Sequence, residues 1–114
     1  MSEFLEAPVG RYLAGESFLC WCRDPGLFGC IYWGEITRDV AERVVEALDA
    51  ELHPALTSHA SLADMRRMTR VSPEAFEVLA PYLASRREKL ERSIRRQALL
   101  RPNGLIGSLV AGFY

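Results

Sequence analysis

Hydrophobic positions change their spacing several times along the chain, and each change predicts an element. From Arg11 to Arg23 the sequence Arg-Tyr-Leu-Ala-Gly-Glu-Ser-Phe-Leu-Cys-Trp-Cys-Arg is rich in aromatic and small apolar residues, a strand-like composition. It stops at Asp24-Pro25-Gly26, a strong turn signal, and a second strand-like run occupies Leu27 to Ile36. Two such runs joined by a Pro-Gly turn predict an antiparallel hairpin. Gly29 and Gly34 within the second run mark a bulge or a close backbone approach. Thr37 then offers an N-cap, and Val40, Val44, Val45, Leu48 and Leu52 recur at helical spacing. Glu42, Glu46, Asp49 and Glu51 are read as the outward face of that helix, which His53-Pro54 ends.

A connector over 55–61 leads into a short inner strand over His59–Met65. A strand that follows a helix requires a crossover, so at least one strand pair is parallel and its connection right-handed. Ser72-Pro73-Glu74 opens a second helix, with Ser72 as N-cap, Pro73 at the first helical position and an acid facing the dipole. Phe76, Leu79, Leu83 and Leu90 form its inner stripe, and Pro81 predicts a kink or a break. Arg96–Arg101 reads as a strand stopped by Pro102-Asn103-Gly104, and Leu105, Ile106, Leu109, Val110, Phe113 and Tyr114 open an apolar helix. No segment follows Tyr114, which predicts a piece of a longer chain or a core completed by a partner.

This order of elements predicts an α/β fold, with helices packed on a mixed central sheet of about four strands that begins with an N-terminal antiparallel hairpin. The 114 residues suit one domain, and 49% hydrophobic with 25% charged residues excludes disordered and fibrous classes. A formal charge of -1 argues against a polybasic membrane patch, no apolar run is long enough to span a membrane, and the acidic N-terminus does not read as a secretory signal. The expected setting is cytoplasmic. Charge is nevertheless segregated: residues 1–57 hold ten acids against four arginines, and residues 58–114 hold ten bases against five acids. Arg86, Arg87, Arg92, Arg95 and Arg96 are the natural phosphate contacts, yet they are equally available to neighbouring glutamates or to the acidic helix, so nucleic acid is not the expected partner.

Candidate chemistry is sparse. Cys20, Cys22 and Cys30 are an odd count that argues against a disulfide framework, and with no histidine before His53 they make no metal site; they read as small buried residues. Ser58, His59 and Asp64, or Ser61 with His53, lie in no nucleophile elbow, and no glycine-rich phosphate cradle is present, so no catalytic residues and no cofactor are expected. Trp21, Trp33 and Tyr32 form the aromatic group best placed to line a pocket for a small apolar effector, the alternative to ordinary core packing.

The stretch Ala60-Ser61-Leu62-Ala63-Asp64-Met65-Arg66-Arg67-Met68-Thr69-Arg70-Val71-Ser72-Pro73-Glu74-Ala75-Phe76-Glu77-Val78-Leu79 resembles the STAS family, the fold of sporulation anti-sigma-factor antagonists. The likeness covers the chain from about Tyr12 in topology and about twenty positions in residue detail. It implies an inner strand closed by Asp64 and a helix whose N-terminus, Ser72 and Glu74, carries the functional site. Family members under regulation have an aspartate and a phosphorylatable hydroxyl there; here those places fall on Ser72 and Glu74, which implies that the phospho-switch is absent. The chain also looks like domains that precede bacterial AraC-type transcription regulators. Together these imply a non-enzymatic interaction or sensory domain, self-associating as a homodimer or docking on another regulator domain, with the apolar Leu105–Tyr114 segment and a sheet edge at the contact.

Overall fold

The computed structural model describes residues 2–56 and 58–101. A short helix α1 (Ser2–Glu6) precedes a meander of three antiparallel strands: β1 (Arg11–Gly15), β2 (Phe18–Asp24) and β3 (Leu27–Ile36). Helix α2 (Arg38–Leu48) and two 3₁₀ turns (Asp49–Leu52 and Pro54–Leu56) lead to β4 (His59–Val71), then helix α3 (Pro73–Ser93) and β5 (Ile94–Leu100). Among the described residues the sheet has five strands in the order β1-β2-β3-β4-β5, with β3, β4 and β5 mutually parallel. The mixed α/β architecture agrees with the sequence pattern, but the sheet is one strand larger than expected.

The extra strand comes from a turn that residue types conceal. Gly15 pairs with Phe18, so Glu16-Ser17 is a two-residue hairpin loop with Ser17 at φ 68°. Hairpin loops of this kind usually advertise themselves with glycine or asparagine at the left-handed position. Serine there kept 11–23 looking like one strand. The second turn behaves as its composition predicts, with the Asp24 carboxylate accepting from the Gly26 amide at 2.7 Å.

Both helix starts are where their caps predict. Thr37 Oγ1 accepts from the Val40 amide at 3.3 Å, and Ser72 Oγ accepts from the Ala75 amide at 3.1 Å. Ser72→Ala is therefore expected to cost about 1 kcal/mol, read as a lower midpoint in urea with an unchanged slope. Helix α3 continues as one element through Pro81, where the sequence predicted a kink or a break. Pro81 is exposed, so the carbonyl it leaves without a partner faces water rather than the core.

Strand β4 is twice as long as its sequence suggested. Asp64 does not close it; it pairs with Ile31 on one side and Leu100 on the other, in mid-strand. Irregularities at Ile31/Trp33 and Gly34/Glu35 hide the continuation, because they shift the buried positions of β4 from 61, 63 and 65 to 68. Gly34, at φ +66°, supplies the left-handed residue for the second of these.

The core fills one side of the sheet. Phe18, Cys20, Cys22, Phe28, Cys30 and Tyr32 from the meander and Ala63, Met65 and Met68 from β4 pack against Val40, Ala41, Val44 and Ala47 of α2. Phe4 closes one end on Phe28, ring centroids 6.1 Å apart. The cysteines are buried as expected, but two of them are not free. Cys20 and Cys30 oppose each other across β2 and β3, Cα atoms 4.1 Å apart, and are joined as a disulfide. The odd count concealed this pair; Cys22 is the remaining thiol, pushed up first by burial and then by Asp24 and Glu51.

Candidate functional site

Alternation along the strands places a second set of side chains on the side away from α2 and α3. In register across all five strands run Tyr12, Trp21, Gly29, Leu62 and Ala98, and beside them Ala14, Leu19, Ile31, Asp64 and Leu100. Nine of these ten positions are uncharged, so these two rows are apolar from β1 to β5 apart from Asp64, while the row beside them ends in Arg96. Tyr12 is 69% exposed, Trp33 39% and Leu100 36%. The Trp21 indole lies against Gly29, where a Cβ would run into it. The one charge in the two rows is Asp64, held by Arg66 through Nε and Nη2, each 3.0 Å from a carboxylate oxygen. That hydrogen bonding keeps the Asp64 carboxyl below its ordinary range. The helices pack on the opposite face, and among the described residues nothing covers this one.

The carboxyl ends of β3 and β4 bring two helix N-termini together. The Ser72 amide donates to the Ile36 carbonyl at 3.0 Å, which sets Ser72 beside Thr37 and the start of α2. The Ser72 hydroxyl is buried and committed to its cap, while Glu74 is exposed in the first turn of α3. Arg38 bridges Glu42 at 3.1 Å and Glu77 at 3.5 Å, and Arg70 lies 3.7 Å from Glu35. Ser72 and Glu74 both lie at this end, and the serine oxygen is not presented to solvent.

The residues a Ser-His-Asp reading would recruit lie on different sides of the sheet. His59 is fully buried on the inner side and Asp64 belongs to the outer face. Both imidazole nitrogens of His59 are engaged, Nδ1 with the Leu56 carbonyl at 2.8 Å and Nε2 with Glu51 at 2.9 Å. Glu51, read from sequence as outward-facing, is buried, because α2 gives way to a 3₁₀ turn after Leu48 and the helical phase no longer applies. His53 accepts from the Ala55 amide and donates to the Glu6 carbonyl.

The proposed aromatic pocket is divided in the same way. Tyr32 is buried on the inner side, whereas Trp21 and Trp33 belong to the open face, so the three do not converge. Tyr32 lines an apolar cavity of about 60 Å³ between α2, α3 and the sheet, with Val44, Met65, Met68 and Phe76 among its walls. A drug-sized ligand needs several hundred Å³. Leu105, Ile106, Leu109, Val110, Phe113 and Tyr114 lie outside the described residues. Among the described residues no group of His, Cys, Asp and Glu is arranged to hold a metal ion, and no helix is long and apolar enough to cross a membrane.

The continuous open face was missed in the sequence. Its signal was present in Leu19-Cys20-Trp21-Cys22, where apolar residues occupy both phases of a strand, the mark of a strand apolar on both faces.

Among solved structures, the chain is similar to the anti-sigma factor antagonist SpoIIAA in its unphosphorylated form, with a TM-score of 0.58 and 14% identity over 84% of this chain and 78% of that one. No family model and no curated protein matches the sequence. The structural likeness establishes the STAS fold and leaves function to be argued from the surfaces.

Proposed function

We propose that this chain is a non-enzymatic protein-interaction or sensory domain of a bacterial regulator, acting in the cytoplasm, and that it self-associates through the open face of its sheet. The observation that carries this reading is the breadth of that face across five strands, with Asp64, paired to Arg66, as the single charge in its two central rows. Monomeric proteins seldom expose an apolar patch of that extent. Only the exposed part of each side chain, largest for Tyr12, Trp33 and Leu100, is withdrawn from water there. Each therefore contributes a fraction of the roughly 1.5–3 kcal/mol of full burial, and the whole face must act together to offset the cost of association. Leu105, Ile106, Leu109, Val110, Phe113 and Tyr114 add apolar surface that the same contact would bury. The structural neighbour supports the class of function, since an anti-sigma factor antagonist acts on another protein. The non-enzymatic reading is supported by the opposite placement of His59 and Asp64 and by the commitment of the Ser72 hydroxyl.

Light scattering on the eluted chain at tens of micromolar is expected to give the mass of a dimer. Leu19→Lys places a charge within the face, opposite Ala14 and Ile31 and outside the core cluster, and is expected to return a monomer with a little-changed melting temperature. A wild-type monomer at that concentration overturns self-association, and a dimer indifferent to Leu19→Lys moves the contact elsewhere.

A further inference from the structure

A separate surface lies at the β5 edge. Between the second half of α3 and β5 is an open cleft of about 430 Å³. Leu83, Leu90 and Ile94 give it an apolar floor, and Arg87, Arg95 and Arg96 stand around it. None of these three arginines has an ion-pair partner among the described residues, although Arg38, Arg66, Arg70, Arg86 and Arg92 each have one. Among the described residues β5 is hydrogen-bonded to β4 alone, so alternate amides and carbonyls of Ile94–Leu100 are turned away from the described sheet.

We propose that this cleft binds an extended acidic peptide segment of another protein, added to β5 as a sixth strand. Main-chain hydrogen bonds to the β5 edge supply affinity, and the side chains of alternate residues supply selection. An apolar side chain of the guest enters over Leu83, Leu90 and Ile94, and carboxylates on either side of it meet the arginines. Guanidinium groups suit carboxylates because their paired N–H donors match two oxygens at once. A peptide fits better than a nucleic acid. Three cations beside one glutamate, Glu91, form a local site on a chain of formal charge -1, whereas phosphate backbones are held by longer rows of bases.

The test uses the full chain and a fluorescein-labelled dodecapeptide of alternating glutamate and valine, at low and at physiological salt. Three comparison probes are its lysine-for-glutamate counterpart, a version N-methylated at alternate amides, and a thymidine oligonucleotide. The acidic peptide is expected to bind in the micromolar range, more weakly as salt rises. Arg87→Glu and Arg96→Glu, both exposed positions, are each expected to weaken it about tenfold or more, and N-methylation is expected to abolish binding. Four outcomes overturn the proposal: no micromolar binding, equal binding of the lysine peptide, binding of the oligonucleotide in place of the peptide, or binding that appears only after Leu109→Asp. The last would give the cleft to the chain's own apolar residues 105–114, and the first would make Arg95 and Arg96 charges that keep a bare edge from pairing. The Arg87→Glu result, on α3, is independent of whether the open face forms a dimer; Arg96, opposite Ala60 in the row beside Leu62 and Ala98, and Leu109 are read together with the light-scattering mass of each variant.

Discussion

Replacing His59 with alanine is expected to cost about 3–5 kcal/mol, a large share of the roughly 5–15 kcal/mol that holds a domain of this size together. The loss follows from what stays behind. Glu51 is 5% exposed and its carboxylate reaches His59 Nε2 at 2.9 Å, so the truncation strands a charge in the core. Removing both partners is milder: a His59→Leu, Glu51→Met double variant leaves no stranded charge, only the Leu56 carbonyl without its donor, and is expected to regain much of the stability. The pair also sets a pH dependence. Burial alone would push the imidazole down from 6.5, as would nearby Arg95. The hydrogen bonds to Glu51 and the Leu56 carbonyl, with the Glu51 charge, outweigh them and hold it above that value. Because the folded form then keeps a proton that the unfolded chain releases near 6.5, the stabilisation is complete below that pH and is lost as pH rises through the raised value. Urea midpoints are expected to fall from about pH 6 to about pH 8 in the wild type and to stay level over that range, below the titration of the Cys22 thiol, in the double variant. A level wild-type profile would mean that the ring is uncharged in the fold.

Gly15→Val is expected to destabilise by about 2–3 kcal/mol for the opposite reason, too much matter rather than too little. A Cβ at Gly15 would run into the Phe18 ring, which is completely buried and has nowhere to withdraw. The hairpin between β1 and β2 can accept the branched side chain only by displacing that ring from the core. Gly15→Ala is expected to show a smaller loss, and adding Phe18→Leu to it should cost less than the two single effects combined, because the shorter side chain vacates the contested space. Chemical denaturation of the four proteins reads this directly. Additive costs would mean that the ring and the glycine do not compete.

These two sites show where sequence reasoning reaches its limit in this molecule. Caps and turns with specific chemistry were legible: Thr37, Ser72-Pro73 and Asp24-Pro25-Gly26 each act within a few residues of themselves. The α/β order followed from apolar periodicity for the same reason. What failed was anything that depended on a change of phase. Ser17 adopts a left-handed turn without a glycine, the shifts in β3–β4 pairing reset the burial of β4, and the 3₁₀ turn after Leu48 swings Glu51 inward. The candidate surfaces suffered likewise. Trp21, Trp33 and Tyr32 are neighbours in composition, yet one residue separates the two sides of a strand, and Tyr32 falls on the other side. Arg87, Arg95 and Arg96 were visible as a basic run, but only the parallel return of β5 beside α3 makes a cleft of them.

The strand order has an electrical consequence. Because the strands lie side by side in the order in which they are synthesised, neighbours in sequence remain neighbours across the sheet. The acid-rich first half and the base-rich second half therefore occupy different strands and meet where α2 packs on α3 through Asp49–Arg86 and Arg38–Glu77, so a molecule with a formal charge of only -1 carries its charge unevenly across the width of its sheet. Such a body turns in an external field while barely migrating in it, and it approaches charged surfaces with its β4–β5 flank leading toward negative ones.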